Sequence, residues 1–230
     1  MSLLGGNLVQ ESYWDIQSVS NPLISPDGKY VIFTKKFIDK KNDKRITEHW
    51  IMESNGSNKR FFVKGSNPKW SPSSKKIAYI KEDENGKSQI YVKNLANESV
   101  TKITNFKDDI KDFSWSPDGE HFSFVAFQEY ADNWIIEIPG KIEGNKYNWT
   151  EDPKVITTMH WRDDGVGELE SGENHLHLVN SSGGAAIKVS EWGLDYIADL
   201  QWLNNSQLLF SGNDSLDDLQ TPWKQSGVFL

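Results

Sequence analysis

Short apolar segments separated by polar turns recur along this chain, and three of them share one pattern. The first is Asn21-Pro22-Leu23-Ile24-Ser25-Pro26-Asp27-Gly28-Lys29-Tyr30-Val31-Ile32-Phe33. It is followed by Asn67-Pro68-Lys69-Trp70-Ser71-Pro72-Ser73-Ser74-Lys75-Lys76-Ile77-Ala78-Tyr79-Ile80. The third is Asp112-Phe113-Ser114-Trp115-Ser116-Pro117-Asp118-Gly119-Glu120-His121-Phe122-Ser123-Phe124. Ser25 and Ser71 are 46 positions apart, Ser71 and Ser116 45. A weaker fourth copy, Asp199 to Phe210, places Leu203 87 positions after Ser116, near two periods. Strand-rich repeats of about 40–50 residues predict a β-propeller with one blade per period.

Within each unit, Ser-Pro-Asp-Gly suits a type I turn: Ser accepts at its first position, Pro presets φ at the second, and Gly takes the fourth. Apolar segments on either side make the unit strand, tight turn, strand. Tyr30–Phe33 and Ile77–Ile80 are near-continuous apolar runs, which predicts strands covered on both faces, as when blades stack on neighbours. Trp70, Trp115 and Trp202 each end a first strand and are expected to plug the space between blades.

The chain between the units fits four-stranded antiparallel blades. In the first, Glu48–Met52 and Arg60–Val63 follow as outer strands around the hairpin signal Asn55-Gly56. In the second, Gln89–Val92 and Val100–Thr104 follow the polar turn Glu82–Lys87, whose carboxylates lack the ligand spacing of a calcium loop. The third departs from the period: Ala126–Thr150 reads as an insertion holding a strand at Trp134–Ile138. A further strand, Val155–Trp161, ends in Arg162-Asp163-Asp164-Gly165, which reads as a degenerate turn unit. Glu173–Val179 alternates as a strand, Ser182-Gly183-Gly184 turns, and Ala185–Val189 returns. The expected organisation is a leading segment over 1–20, blades over 21–212, and the start of a further blade or a linker over 213–230. The fold class is therefore all-β, an incomplete ring of about four to five WD40-like blades. Helix is expected only before Asn21 and in at most one loop.

Composition narrows the chemistry. A formal net charge of −8 without a basic stripe argues against nucleic acid as a partner. The chain holds no cysteine, so thiol catalysis and disulfide staples are out. No apolar run approaches the roughly 20 residues of a membrane span. Met1-Ser2-Leu3-Leu4-Gly5-Gly6 lacks the basic start and apolar core of a secretory leader, which leads to a cytoplasmic reading. There is no Gly-x-Ser-x-Gly elbow, phosphate loop or His-Glu-x-x-His helix, so no catalytic, cofactor-binding or metal residue is assigned. His175 and His177, at i and i+2 of a strand, face one side and would supply two corners of a zinc site, but no third ligand stands at metal spacing. The plainer reading is a strand-face pair.

Tyr13-Trp14-Asp15-Ile16 leading into Val19-Ser20-Asn21-Pro22-Leu23-Ile24-Ser25-Pro26-Asp27-Gly28-Lys29 resembles the opening of the propeller domain of the prolyl oligopeptidase family. Within it, the acylaminoacyl-peptidase and dipeptidyl-aminopeptidase branch is the nearest in flavour. Pro153–Ile156, Trp161-Arg162-Asp163-Asp164-Gly165, His175–Asn180 and Gly183-Gly184 are similar to that branch's mid-propeller, so the resemblance runs from about Tyr13 to Gly212. It implies a propeller capping a C-terminal α/β-hydrolase domain that carries Ser, Asp and His, admits short peptides and needs no cofactor. None of that triad falls on this chain, and Phe127-Gln128-Glu129-Tyr130 does not match the branch's amine-binding acidic motif. The expected role is a gate over a serine exopeptidase, with short peptides and the hydrolase domain as partners and self-association through open blade edges. The alternative is a stand-alone scaffold propeller of the Tol-system kind, which shares the Ser-Pro-Asp-Gly turn.

Overall fold

The computed structural model describes residues 9–130, 161–165, 167–169, 172–191, 193, 196–213 and 227–230. Among them the only helix is a 3-10 turn, Gln10–Asp15. The first blade is β1 (Gln17–Ile24), β2 (Tyr30–Asp39), β3 (Lys44–Glu53) and β4 (Arg60–Val63), hydrogen-bonded in that order. The second is β5 (Ser66–Trp70), β6 (Lys76–Glu82), β7 (Ser88–Asn94) and β8 (Val100–Lys102). The third opens with β9 (Ile110–Trp115) and β10 (His121–Glu129). Its next strand comes only after a long connection, which contains the small hairpin β11 (Arg162–Asp163) and β12 (Gly167–Glu168). β13 (Gly172–Asn180) and β14 (Ile187–Lys188) then complete that blade. In the fourth, β15 (Tyr196–Asn204) pairs with β16 (Gln207–Asn213), and β17 (Gly227–Phe229) pairs with β16.

This corrects the reading of Arg162-Asp163-Asp164-Gly165 as a blade unit. Arg162 pairs with Glu168 and Asp163 with Gly167, so among the described residues the turn closes a two-residue hairpin that joins none of the four blades. The interval of nearly two periods therefore holds the rest of the third blade together with the long stretch of chain between β10 and β13. The strands read at Trp134–Ile138 and at 155–160 lie outside the described residues.

The three Ser turns are built alike. Ser25, Ser71 and Ser116 are buried. Each backbone N–H closes the hairpin on the carbonyl five residues on, and each hydroxyl accepts the amide of that same residue: Tyr30 at 3.0 Å, Lys76 at 3.1 Å and His121 at 2.9 Å. Gly28 (φ 73°) and Gly119 (φ 75°) take the left-handed position that the turn demands. Ser74 stands there in the second unit at φ 62°.

Alternation along the second strand of each blade fills both seams. Ile77 and Tyr79 pack on Ile32, Ile51, Phe62 and Val63 of the first blade. Ala78 and Ile80 point the other way, onto Phe113, Trp115, Phe122 and Phe124 of the third. Val125 and Leu176 of the third blade meet Ile197 and Leu200 of the fourth. That is why Ile77–Ile80 reads as an unbroken apolar run.

Candidate gating site at the inner strands

First strands of successive blades touch one another, β5 against β9 and β9 against β15, so they form the inner side of the arc. Their bends come from bulges at a repeated position, where Asn21 (φ 51°), Asn67 (φ 51°) and Asp199 (φ 56°) adopt left-handed backbone that Asn and Asp tolerate best. Asp112 holds the same repeat position in the third blade.

Its carboxylate is the centre of the inner-strand polar cluster. Oδ1 accepts the Asn67 side-chain amide at 2.6 Å, the Lys69 ammonium at 2.8 Å and the Phe113 N–H at 2.8 Å. Lys69 also donates to the Phe113 carbonyl and lies 5.1 Å from the centre of its ring. Both members of the Lys69–Asp112 pair are partly exposed, so solvent screens them and the pair aligns two blades more than it stabilises them. Trp70 and Trp115 pack in the seams between blades, as their position suggested. Trp70 donates its indole N–H to the Leu23 carbonyl at 3.0 Å, and Trp115 donates to the Lys69 carbonyl at 3.3 Å, each reaching the equivalent carbonyl of the preceding blade.

Sequence reasoning missed three further ties between blades. Buried Lys93 donates to the Phe62 carbonyl at 3.1 Å with its charge met by Glu98 at 3.5 Å. Arg60 and Lys93 hold the Glu98 carboxyl below its ordinary range. Gln89 and the Phe106 backbone exchange two hydrogen bonds, 2.9 and 2.8 Å, and pin the link between blades two and three. Asp109 accepts the Ser88 amide at 2.7 Å, which with Lys87 lowers its carboxyl pKa. Such pairings span 17 to 31 residues of chain, so no local pattern announces them. The exception is Asn67 with Asp112, which share one repeat offset.

The two strand-face histidines come together without forming a metal centre. His177 is buried, stacks on Phe124 at 5.1 Å, meets Phe106 edge-on at 4.7 Å, and its Nδ1 donates to the His175 carbonyl. Burial lowers its pKa. His175 Nδ1 lies 3.2 Å from Ser190 Oγ, and its Nε2 lies 3.7 Å from Glu173. Serine, histidine and carboxylate in line suggest a hydrolytic triad, but the geometry serves the backbone. Ser190 Oγ accepts the Leu176 N–H at 3.1 Å and fastens the β13–β14 turn. No group of three or more metal-ligating side chains exists among the described residues. In the acidic turn, Asp83 accepts the Asn85 and Lys87 amides and Lys102, which together lower its pKa.

Antiparallel blades stacked face to face, with first strands converging, define a β-propeller arc. The chain belongs to the PD40 family of TolB β-propeller domains, whose model matches residues 35–216. Over 212 residues it is 24% identical to the uncharacterised peptidase YuxL of Bacillus subtilis, covering 90% of this chain and 31% of that protein. Over 62 residues it is 39% identical to the Tol-Pal system protein TolB of Alcanivorax borkumensis, 27% of this chain and 14% of that one. The acylaminoacyl peptidase of Pyrococcus horikoshii superposes with a TM-score of 0.65 at 15% identity, over 95% of this chain and 32% of that chain. The chain thus spans about a third of the length of the peptidases it matches.

Proposed function

We propose that this arc is the propeller portion of a serine exopeptidase of the acylaminoacyl-peptidase kind, and that it limits which peptides reach a C-terminal α/β-hydrolase domain outside this chain. The likeness to a peptidase along 90% of the chain, with two thirds of that relative left over, carries the reading. The fold suits it, since a stack of blades over a hydrolytic site passes short flexible chains and holds back folded ones. No serine of the described turns is offered as a nucleophile, because Ser25, Ser71 and Ser116 spend their hydroxyls on the turn itself. Were the enzyme of the dipeptide-releasing rather than the acyl-peptide branch, the acidic balance would favour peptides with a free or basic amine at the entrance. We place the protein in the cytoplasm, where a cysteine-free chain suits the reducing conditions. Among the described residues no helix is long and apolar enough to cross a membrane.

The test uses the polypeptide in which this chain is joined to its hydrolase domain. A fluorophosphonate probe should label that polypeptide and leave the 230-residue chain unlabelled. The intact protein should cleave a short chromogenic peptide and spare denatured casein. Equal digestion of both would end the gating reading. A polypeptide that never takes the probe favours the second reading, a protein-binding propeller, which the 39% identity to the Tol-Pal protein supports.

A further inference from the structure

Three seams join the four blades, and two are stitched by polar side chains. The first carries the Trp70 indole bond to the Leu23 carbonyl and the buried Lys93 bond to the Phe62 carbonyl. The second carries the Trp115 bond to the Lys69 carbonyl, the Asn67–Lys69–Asp112 cluster and the Gln89 clamp. In the third, Trp202 stands at the repeat position of Trp70 and Trp115. It pairs across the sheet with Leu208, which packs on the Val125 and Leu176 cluster. Yet the Trp202 indole nitrogen is buried with no hydrogen-bond partner among the described residues. The equivalent acceptor would be the carbonyl of Ser114, one residue before Trp115.

A second orphan sits on the same side. Ser123 is 0% exposed, and its hydroxyl also lacks a partner among the described residues. It lies two residues before Val125 on β10, so both side chains leave the face that meets the fourth blade. Among the described residues the side-chain hydrogen bond that crosses this seam is from the Asp118 N–H to Asn205 at 3.2 Å, an exposed turn contact. A buried donor and a buried hydroxyl without partners are penalised while the seam is shut, and both are satisfied once water reaches them.

We infer that the seam between the third and fourth blades is the joint at which the arc parts, and that it is the lateral passage through which a peptide enters. The parting follows from the two orphan groups alone; the passage rests on the gating role proposed above. The first two seams stay shut because opening either of them breaks buried side-chain bonds that have no counterpart at the third among the described residues.

The natural chain has no cysteine, so single thiols report each seam cleanly. Val125→Cys reads the third seam, Ala78→Cys the second and Ile77→Cys the first. All three positions are buried. Under native conditions an aromatic disulfide reagent should label the Val125→Cys thiol about tenfold faster than the other two, as local opening at this one seam requires. Adding Ser123→Ala, which removes an orphan in a near-isosteric way, should slow that labelling, and Trp202→Phe should do the same. Trp115→Phe in the Ala78→Cys background should speed labelling at the second seam. If Val125→Cys disturbs packing, Leu200→Cys reads the same seam from the fourth blade. One common rate for all three seams, or a Val125→Cys thiol as protected as the others, overturns the inference. The labelling rates stand apart from the casein comparison, so a shut seam with casein still excluded removes the passage and leaves the gate.

Discussion

The buried histidines make acid sensitivity a property of single residues. His49 is buried between Thr34 and the Gly65 carbonyl, which takes its Nε2–H at 3.1 Å, so Nδ1 accepts from the Thr34 hydroxyl. Burial lowers the pKa of His49 and of His177 from 6.5. The unfolded chain therefore binds more protons than the folded one once the pH drops below the ordinary imidazole value. Stability should be flat above about pH 7 and fall through roughly pH 6.5 to 5. Urea midpoints read across that range should show the slope, and His49→Gln with His177→Phe should flatten it. A second decline belongs below about pH 4. There Asp27 and Asp118, whose pKa values are lowered first by the hydroxyls of Ser25 and Ser116, become protonated. Loss of stability at pH 8 with a flat acid limb would contradict both assignments. Removing the clamp itself is the sharper change. Ser116→Ala leaves the His121 amide inside the turn without its acceptor and should cost about 1–3 kcal/mol in chemical denaturation.

At the scale of elements, the Ser turn was legible because it is local. Four consecutive residues state the turn, and the burial of Ser25, Ser71 and Ser116 follows. The second copy, with Ser73-Ser74 for Asp-Gly, looked like a weak version and is instead a compromise. Ser74 endures left-handed backbone at φ 62°, and its hydroxyl accepts the Asp27 N–H of the neighbouring blade's turn at 2.9 Å. Ser74→Gly should be near neutral, since relief of about 1 kcal/mol of backbone strain offsets one lost hydrogen bond. Ser74→Ala keeps the strain, loses the bond and should cost about 1–2 kcal/mol by thermal melting. If Gly proves the worse substitution, the strain argument is wrong. Gly65 is a stricter case: at φ 153° an added Cβ would lie 2.5 Å from the Ile80 carbonyl, so Gly65→Ala should open the first seam. The long connection inside the third blade was illegible for a physical reason. Periodicity counts residues, and the stretch between β10 and β13 adds nearly a period to the count while those two strands pair within one blade. Turn chemistry at Asp164-Gly165 added to the error, because a hairpin of two-residue strands uses the same residues as a blade turn. The Lys69–Asp112 tie was hidden for the opposite reason, since it is made between repeats. A double-mutant cycle on that pair should return about 0.5–1 kcal/mol and shrink with salt, as expected for a half-exposed ion pair.

For the whole molecule, the decisive positions are those left bare. Val31, partly exposed, holds the repeat position of Ile77 and of Phe122, which in the later blades pack on the blade before. Ile24 stands where Trp70 and Trp115 stand. The first blade thus turns toward solvent a face built to receive a preceding blade: Ile24 is 67% exposed and Phe61 45%. At the other end Leu203 is 56% exposed and Val228 72%, on the side of the fourth blade turned away from the third. One end offers the face that a preceding blade would cover and the other the face that a following blade would cover, so two copies are expected to meet head to tail. Such heterologous contacts either close into a ring or run on into an open chain. The bare apolar surface drives the contact in either case. Size-exclusion chromatography with light scattering on the 26.3 kDa chain should therefore show species that grow with concentration. Ile24→Lys with Phe61→Glu should return the monomer, because both residues are exposed and their change leaves the seams within the arc untouched. A chain that stays monomeric at high concentration before those changes would mean that the first blade's face is covered from within the same molecule.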